Sequence, residues 1–176
     1  PRSTIALWDF LDGRREYLTK SVVAEQLVDA KWNAYIKTRA DEFVTISKQK
    51  YSYWRITEHL HMDTQIGQMP KDPYFTGQNK NASFTCLCFA EPMLEQNSVY
   101  MLLGLSNGSV WIVDTRCNYF LYKFDLLSCA VSSIVSTTTR IIVEGQEDTV
   151  LHCWDLKKTI ADFDYDASDP EYFFSA

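Results

Sequence analysis

The chain has 176 residues, 46% of them hydrophobic and 23% charged, with a formal net charge of −6 at pH 7. That length suits one domain with a sizeable core, and the acidic balance argues against nucleic acid or an anionic membrane surface as partner, because either needs a basic footprint. No stretch approaches the roughly 18 apolar residues of a membrane helix, and the opening "PRSTIALWDF" is strand-like with no signal-peptide pattern, as at the start of an excerpt.

The first predicted strand is "RSTIALWD" at 2–9, with Ile5 and Leu7 on one face and Trp8 on the other. "REYLTKSVV" at 15–23 follows it, and residues 1–20 are assigned to the third and fourth strands of an incomplete unit. Residues 21–68 hold a second unit: "QLVDAKWNA", "EFVTIS", "KQKYSYWR" at 48–55 and a weak run from Met62 to Gln68. "KSVVAEQLVDAKW" comes nearest to helical periodicity, but its β-branched residues favour strands. An insertion is assigned to 69–83, within a polar stretch (58–83) that carries Gly67, Pro70, Pro73 and Gly77. Such a loop either binds a partner or is a tolerated surface excursion. Residues 84–128 are the third unit, built on "SFTCLCFAE", "VYMLLGLS", "NGSVWIVD" at 107–114 and "YFLYKFDLL". Its Asn107-Gly108 pair calls for a turn with positive φ. Residues 129–166 are the fourth, built on "CAVSSIVS", "TRIIVEGQ", "DTVLHCWD" at 148–155 and "TIADFDYD", and 167–176 form an exit segment.

Four of these stretches align without gaps, beginning at 2, 48, 107 and 148 and so 46, 59 and 41 residues apart. Their fourth position reads Ile5, Tyr51, Val110 and Leu151, and their sixth reads Leu7, Tyr53, Ile112 and Cys153. The seventh is Trp8, Trp54, Val113 and Trp154; the eighth is Asp9, Arg55, Asp114 and Asp155. One face of the strand is always apolar, and the seventh position lies on the other, so both faces are expected to be buried. An all-β chain built from a four-strand repeat follows.

These residues resemble the WD-repeat family, in which each propeller blade is a four-stranded antiparallel sheet whose third strand ends in Trp-Asp. The resemblance covers nearly the whole chain and implies an all-β partial β-propeller, part of a larger ring. Its signature falls on Trp8, Asp9, Trp54, Asp114, Asp148, Trp154 and Asp155. Two features depart from the family: no copy has the usual Gly-His pair, and the second blade ends Trp54-Arg55. The family's buried tetrad is therefore at most partial, with Asp148 and Trp154 in matching positions and no matching His. The stretch "KWNAYIKTRADEFVTISKQKYSYWRI" (31–56) is similar to degenerate repeats of ciliary and cytoskeletal proteins, including the echinoderm-microtubule-associated-protein-like group.

No catalytic constellation, cofactor fingerprint or metal site emerges. The five cysteines, Cys86, Cys88, Cys117, Cys129 and Cys153, are an odd count without disulfide rhythm, and the Cys86-x-Cys88 pair lacks further zinc ligands. Reduced thiols in an intracellular, cytoplasmic compartment are expected, with the sequons at Asn81 and Asn107 arising by chance. His59 and His61 alone do not make a metal site. His152 occupies a strand slot that marks it for packing rather than general-base work. Ser132, Ser133 and Ser136 have no nucleophile turn around them. The run Asp162, Asp164, Asp166, Asp169 and Glu171 does not fit a calcium loop; it is either a solvated exit or a contact for a basic partner. The resemblance implies a non-catalytic scaffold for other proteins, with no cofactor and no small-molecule substrate, in a ciliary or cytoskeletal assembly. Coat, ubiquitin-ligase and chromatin complexes are alternative settings. A propeller hydrolase would need carboxylates at repeated strand starts, and Asp29 and Glu91 have no counterpart in the last blade.

Overall fold

The computed structural model of the chain describes residues 2–9, 16–34, 41–68, 81–90, 99–115, 119–137 and 139–155. These contain thirteen strands in four antiparallel sheets. The first sheet pairs β1 (Ser3–Asp9) with β2 (Glu16–Val23). The second runs β3 (Asp29–Trp32), β4 (Asp41–Ile46), β5 (Lys50–Ile56), β6 (Met62–Gln68), and the third β7 (Phe84–Ala90), β8 (Tyr100–Leu105), β9 (Ser109–Asp114), β10 (Tyr119–Asp125). The fourth contains β11 (Val131–Ser136), β12 (Arg140–Gly145) and β13 (Leu151–Asp155).

Neighbouring strands in each sheet are consecutive in sequence, so each sheet is an up-and-down meander. The four aligned stretches fall on β1, β5, β9 and β13; the last three are each the third strand of their sheet, and β1 is the first described strand of its own. The expected boundary at residue 20 is too early. The pair Ser3↔Val23 keeps β2 in the first sheet for the full length of β1. The stretch from 62 to 68 belongs to the second sheet and not to a surface excursion, because β6 pairs with β5 from Ile56↔Met62 to Lys50↔Gln68. Gly67 explains the fit there: a Cβ on it would lie 1.9 Å from the Tyr51 ring, which is 1% exposed. Residues 69–80 of the insertion, Cys117, Glu91, and everything from 156 onward, including "TIADFDYD" and the acidic run, lie outside the described residues.

Three apolar clusters fill the boundaries between successive sheets, and strand alternation decides who faces whom. Ile5 and Leu7 of β1 pack on Phe43, Trp54 and Ile56 of the second sheet. Tyr51 and Tyr53 of β5 pack on Phe84, Leu87, Met101 and Trp111 of the third. Val110 and Ile112 of β9 pack on Val131, Ile134, Ile141 and Val143 of the fourth, with Trp154 packed against the same cluster. The fourth and sixth positions of the repeat thus face the following sheet, and the seventh faces the preceding one. The third sheet is covered on both faces, and all six β9 residues are buried.

The Asn107-Gly108 turn forms as the sequence requires, with Gly108 at φ 85° and its amide donating to Leu105 O at 3.2 Å. Any Cβ at Gly108 would meet Leu127 O at 2.0 Å, so both the torsion and the close approach demand glycine.

Candidate interaction surface

The signature residues are distributed one set per sheet and do not converge on one site. Trp54 is 4% exposed; its indole Nε1 donates to Thr45 Oγ1 at 2.9 Å and its ring stacks on Phe43 at 5.8 Å. Trp8, at the same repeat position, is 47% exposed and meets Tyr17 edge-on at 5.3 Å. It lies on the face that in the later sheets meets the preceding sheet, and the described residues contain no sheet before the first. This corrects the expectation that the seventh position is buried in every copy. Trp154 is half-buried and stacks on His152 at 5.6 Å. Asp9 and Asp155 end their strands, half-buried and exposed respectively, while Asp114 is buried.

The loop Asp148 has a partner that no aligned position suggested. Its Oδ1 accepts from Val150 N at 3.0 Å, and its Oδ2 lies 2.6 Å from His152 Nε2. His152 reaches it from inside β13, four residues on, instead of from a loop before the first strand. That hydrogen bond from His152 holds the Asp148 carboxyl below its ordinary value. Asn107, the aligned residue of the third sheet, makes the same turn with its Oδ1 accepting from Ser109 N at 3.2 Å.

Arg55, the departure from the Asp pattern, is matched on the neighbouring strand. Its register partner is Glu42, and Nε and Nη2 both donate to Glu42 Oε1, at 2.9 and 2.8 Å. The fourth sheet sets the opposite arrangement, with Arg140 opposite Asp155. Beside Glu42, Asn33 Nδ2 donates to the Tyr53 hydroxyl at 2.8 Å, and burial pushes that phenol up to about 12. Asp29, weighed above as a hydrolase carboxylate, is engaged structurally: its Oδ2 accepts from Leu87 N at 3.2 Å, tying β3 to β7 across the sheet boundary.

The four described cysteines are free thiols. Burial pushes Cys86 up to about 11 and Cys88 to about 12, away from the thiolate form that metals and electrophiles need. Among the described residues, no three His, Cys, Asp or Glu side chains gather as a metal site would require.

A polar cleft of about 480 Å³ opens at one end of the boundary between the second and third sheets, lined by Glu25, Lys48, Gln49, Lys50, Asn81 and Ser83. Three segments build it: the β2–β3 connection, the β4–β5 turn and the approach to β7. Their backbones are fixed by Val28 N to Ile46 O, Ser47 N to Lys50 O and Phe84 N to Lys48 O, each 2.8 Å. Glu25 joins the first two segments, accepting from Ser47 Oγ and Lys50 Nζ, both at 2.5 Å. The Lys50 hydrogen bond, followed by that from Ser47, holds the Glu25 carboxyl below its ordinary value. Sequence reasoning missed this cleft because Glu25 and Lys50 become neighbours only once the strand register is known.

Four successive up-and-down sheets are stacked face to face, with the first strands β3, β7 and β11 of the last three side by side. The chain has the β-propeller fold. The Cps50 (Swd1) β-propeller domain of Myceliophteria thermophila is similar at TM-score 0.58 and 18% identity, over 86% of this chain and 45% of that one. A chain of the Polycomb repressive complex 2 of Chaetomium thermophilum is similar at 0.59 and 13%, over 73% of this chain and 27% of that one. The computationally designed Ika4 protein is similar at 0.59 and 14%, over 86% of this chain and 79% of that one. The chain therefore spans between about a quarter and a half of the length of those two natural chains. No family model matches the sequence, and no curated protein matches it.

Proposed function

We propose that this propeller is a non-catalytic scaffold of the WD-repeat kind, presenting fixed surfaces to other proteins of a multi-subunit assembly. The observation that carries this is the cleft at Glu25, Lys48, Lys50, Asn81 and Ser83, where three loop segments are locked into one polar surface by side-chain and backbone hydrogen bonds. Rigid loops on a rigid sheet stack are suited to partner recognition, since little ordering entropy is lost on binding. Asp29, the described one of the two carboxylates weighed for a hydrolase, supports the same reading, because it ties two sheets together.

A cytoplasmic, ciliary or cytoskeletal setting is supported by the stretch 31–56 and its resemblance to degenerate repeats of such proteins. The fold likeness to Swd1 and to a Polycomb complex chain favours a second setting, a chromatin complex. Fractionation of native extract tests the scaffold reading. The tagged protein should run in a particle several times its own mass, and Lys48→Glu should release it without changing its melting midpoint. Migration of the wild type at its own mass would contradict the reading.

A further inference from the structure

The acidic balance of the chain does not extend to the cleft between the second and third sheets. Its charged lining residues are Glu25, Lys48 and Lys50. Lys50 is spent on Glu25, whose carboxylate also accepts from Ser47 Oγ. Lys48 is exposed and makes no hydrogen bond or ion pair among the described residues. The surrounding charges do not cancel it. Arg2 is exposed one residue before Ser3, whose Oγ accepts from Leu27 N at 3.2 Å in the β2–β3 connection. Asp29, further along that connection, is turned to Leu87 N and lies 3.9 Å from Lys31 Nζ. On the third sheet, residues 106–108 and 126–130 carry no charge, and Asp125 is held by Ser109 Oγ and Lys123. Glu147 and Asp148 belong to the β12–β13 turn, with the third sheet between them and the cleft. Lys71, Asp72 and Lys80 lie outside the described residues.

The amides of Gln49 and Asn81 and the Ser83 hydroxyl complete the lining, and none of the three is engaged within the described residues. Such groups donate and accept alike, so charge decides what enters. A cation would meet Lys48 and find Glu25 already neutralised. A phosphoryl group, close to a dianion, would leave negative charge uncompensated beside Glu25, and no arginine fork lines the cleft to hold it. One carboxylate balances Lys48. A volume of about 480 Å³ is that of a pocket for a small group and not of a broad protein face. On the scaffold reading, on which this inference rests, the carboxylate therefore arrives on a short segment. We propose that the cleft takes one Asp or Glu side chain from an exposed segment of a partner protein, with Lys48 as its counter-ion and Gln49, Asn81 and Ser83 as hydrogen-bond donors.

Selection of displayed random decapeptides on the immobilised chain tests this. The wild type should enrich peptides with one acidic position, and Lys48→Glu should abolish that preference or turn it to Lys or Arg at an unchanged melting midpoint. An enriched peptide, once synthesised, should bind Lys48→Met about tenfold more weakly, as for the loss of one hydrogen bond to a charged group. The same peptide with phosphoserine at the acidic position should bind the wild type no better than the original. Glu25→Gln frees the Lys50 ammonium and should reverse that order, with the phosphoserine peptide now the tighter ligand; a Glu25 that served structure alone would give loss of both. Enrichment of basic or uncharged peptides, or of none, would overturn the proposal, as would an acidic preference that survives Lys48→Glu. A protein that runs in a large particle yet shows no acidic preference would overturn this inference and leave the scaffold reading standing. One that selects acidic peptides but migrates at its own mass would contradict the scaffold reading while the specificity of the cleft stood.

Discussion

At the scale of single residues, identical letters at identical repeat positions have different consequences, because burial depends on the neighbouring sheet. Trp54 is covered by Ile5, Leu7 and Met62 and has its indole N–H satisfied by Thr45; Trp8 has no preceding sheet among the described residues. Trp54→Ala should therefore cost about 3–5 kcal/mol, as for a buried large aromatic. Trp8→Ala under dilute, monomeric conditions should cost about 1 kcal/mol or less. Denaturant melts of the two variants check this, and equal losses would mean that the first boundary is not packed as described. Trp154 should fall between them. Its ring packs against the third sheet and against His152 yet remains half-exposed.

At the scale of strands and sheets, charges are placed by cross-strand register. Arg55 looked like a lapse in the Trp-Asp signature, but register sets it opposite Glu42, whose carboxylate is 5% exposed. Arg55→Asp should destabilise by about 2 kcal/mol, since it leaves a buried carboxylate beside a like charge; the exposed guanidinium keeps the figure below that of a fully buried pair. Adding Glu42→Arg to that variant reproduces the order that the fourth sheet has at Arg140 and Asp155, and should recover part of the loss. Thermal melts of the wild type, single and double variants would show it. A double variant no better than the single would mean that the Glu42 site tolerates only a carboxylate.

The repeat was legible because its information is local. Alternation within "TIALWD" or "SVWIVD" and the Asn107-Gly108 turn declare a strand and its start within eight residues. Even the weak run from 62 to 68 fell where β6 lies. The cleft and the polar links were not legible, since Glu25–Lys50, Asp29–Leu87 and Asn33–Tyr53 join groups at least twenty residues apart. Their partners are fixed by sheet stacking, which no periodicity encodes. His152–Asp148 was within reach, being an i, i+4 pair across one turn, but the family pattern directed attention to a loop histidine.

At the scale of the whole molecule, the order of stability follows from coverage. The third sheet buries both faces, and β8 and β9 are also inner strands with hydrogen-bonded neighbours on each side. The last strands β2 and β6 border only one neighbour each and carry exposed residues such as Val22 and Ile66. Local opening free energies track such coverage. Amide hydrogen exchange read by mass spectrometry, peptide by peptide, is the most direct measurement of this architecture. Peptides spanning β8 and β9 should exchange slowest, those spanning β5 more quickly, and β2 and β6 fastest. Fastest exchange in β8 and β9, or equal protection across all four sheets, would contradict a propeller arc centred on its third sheet.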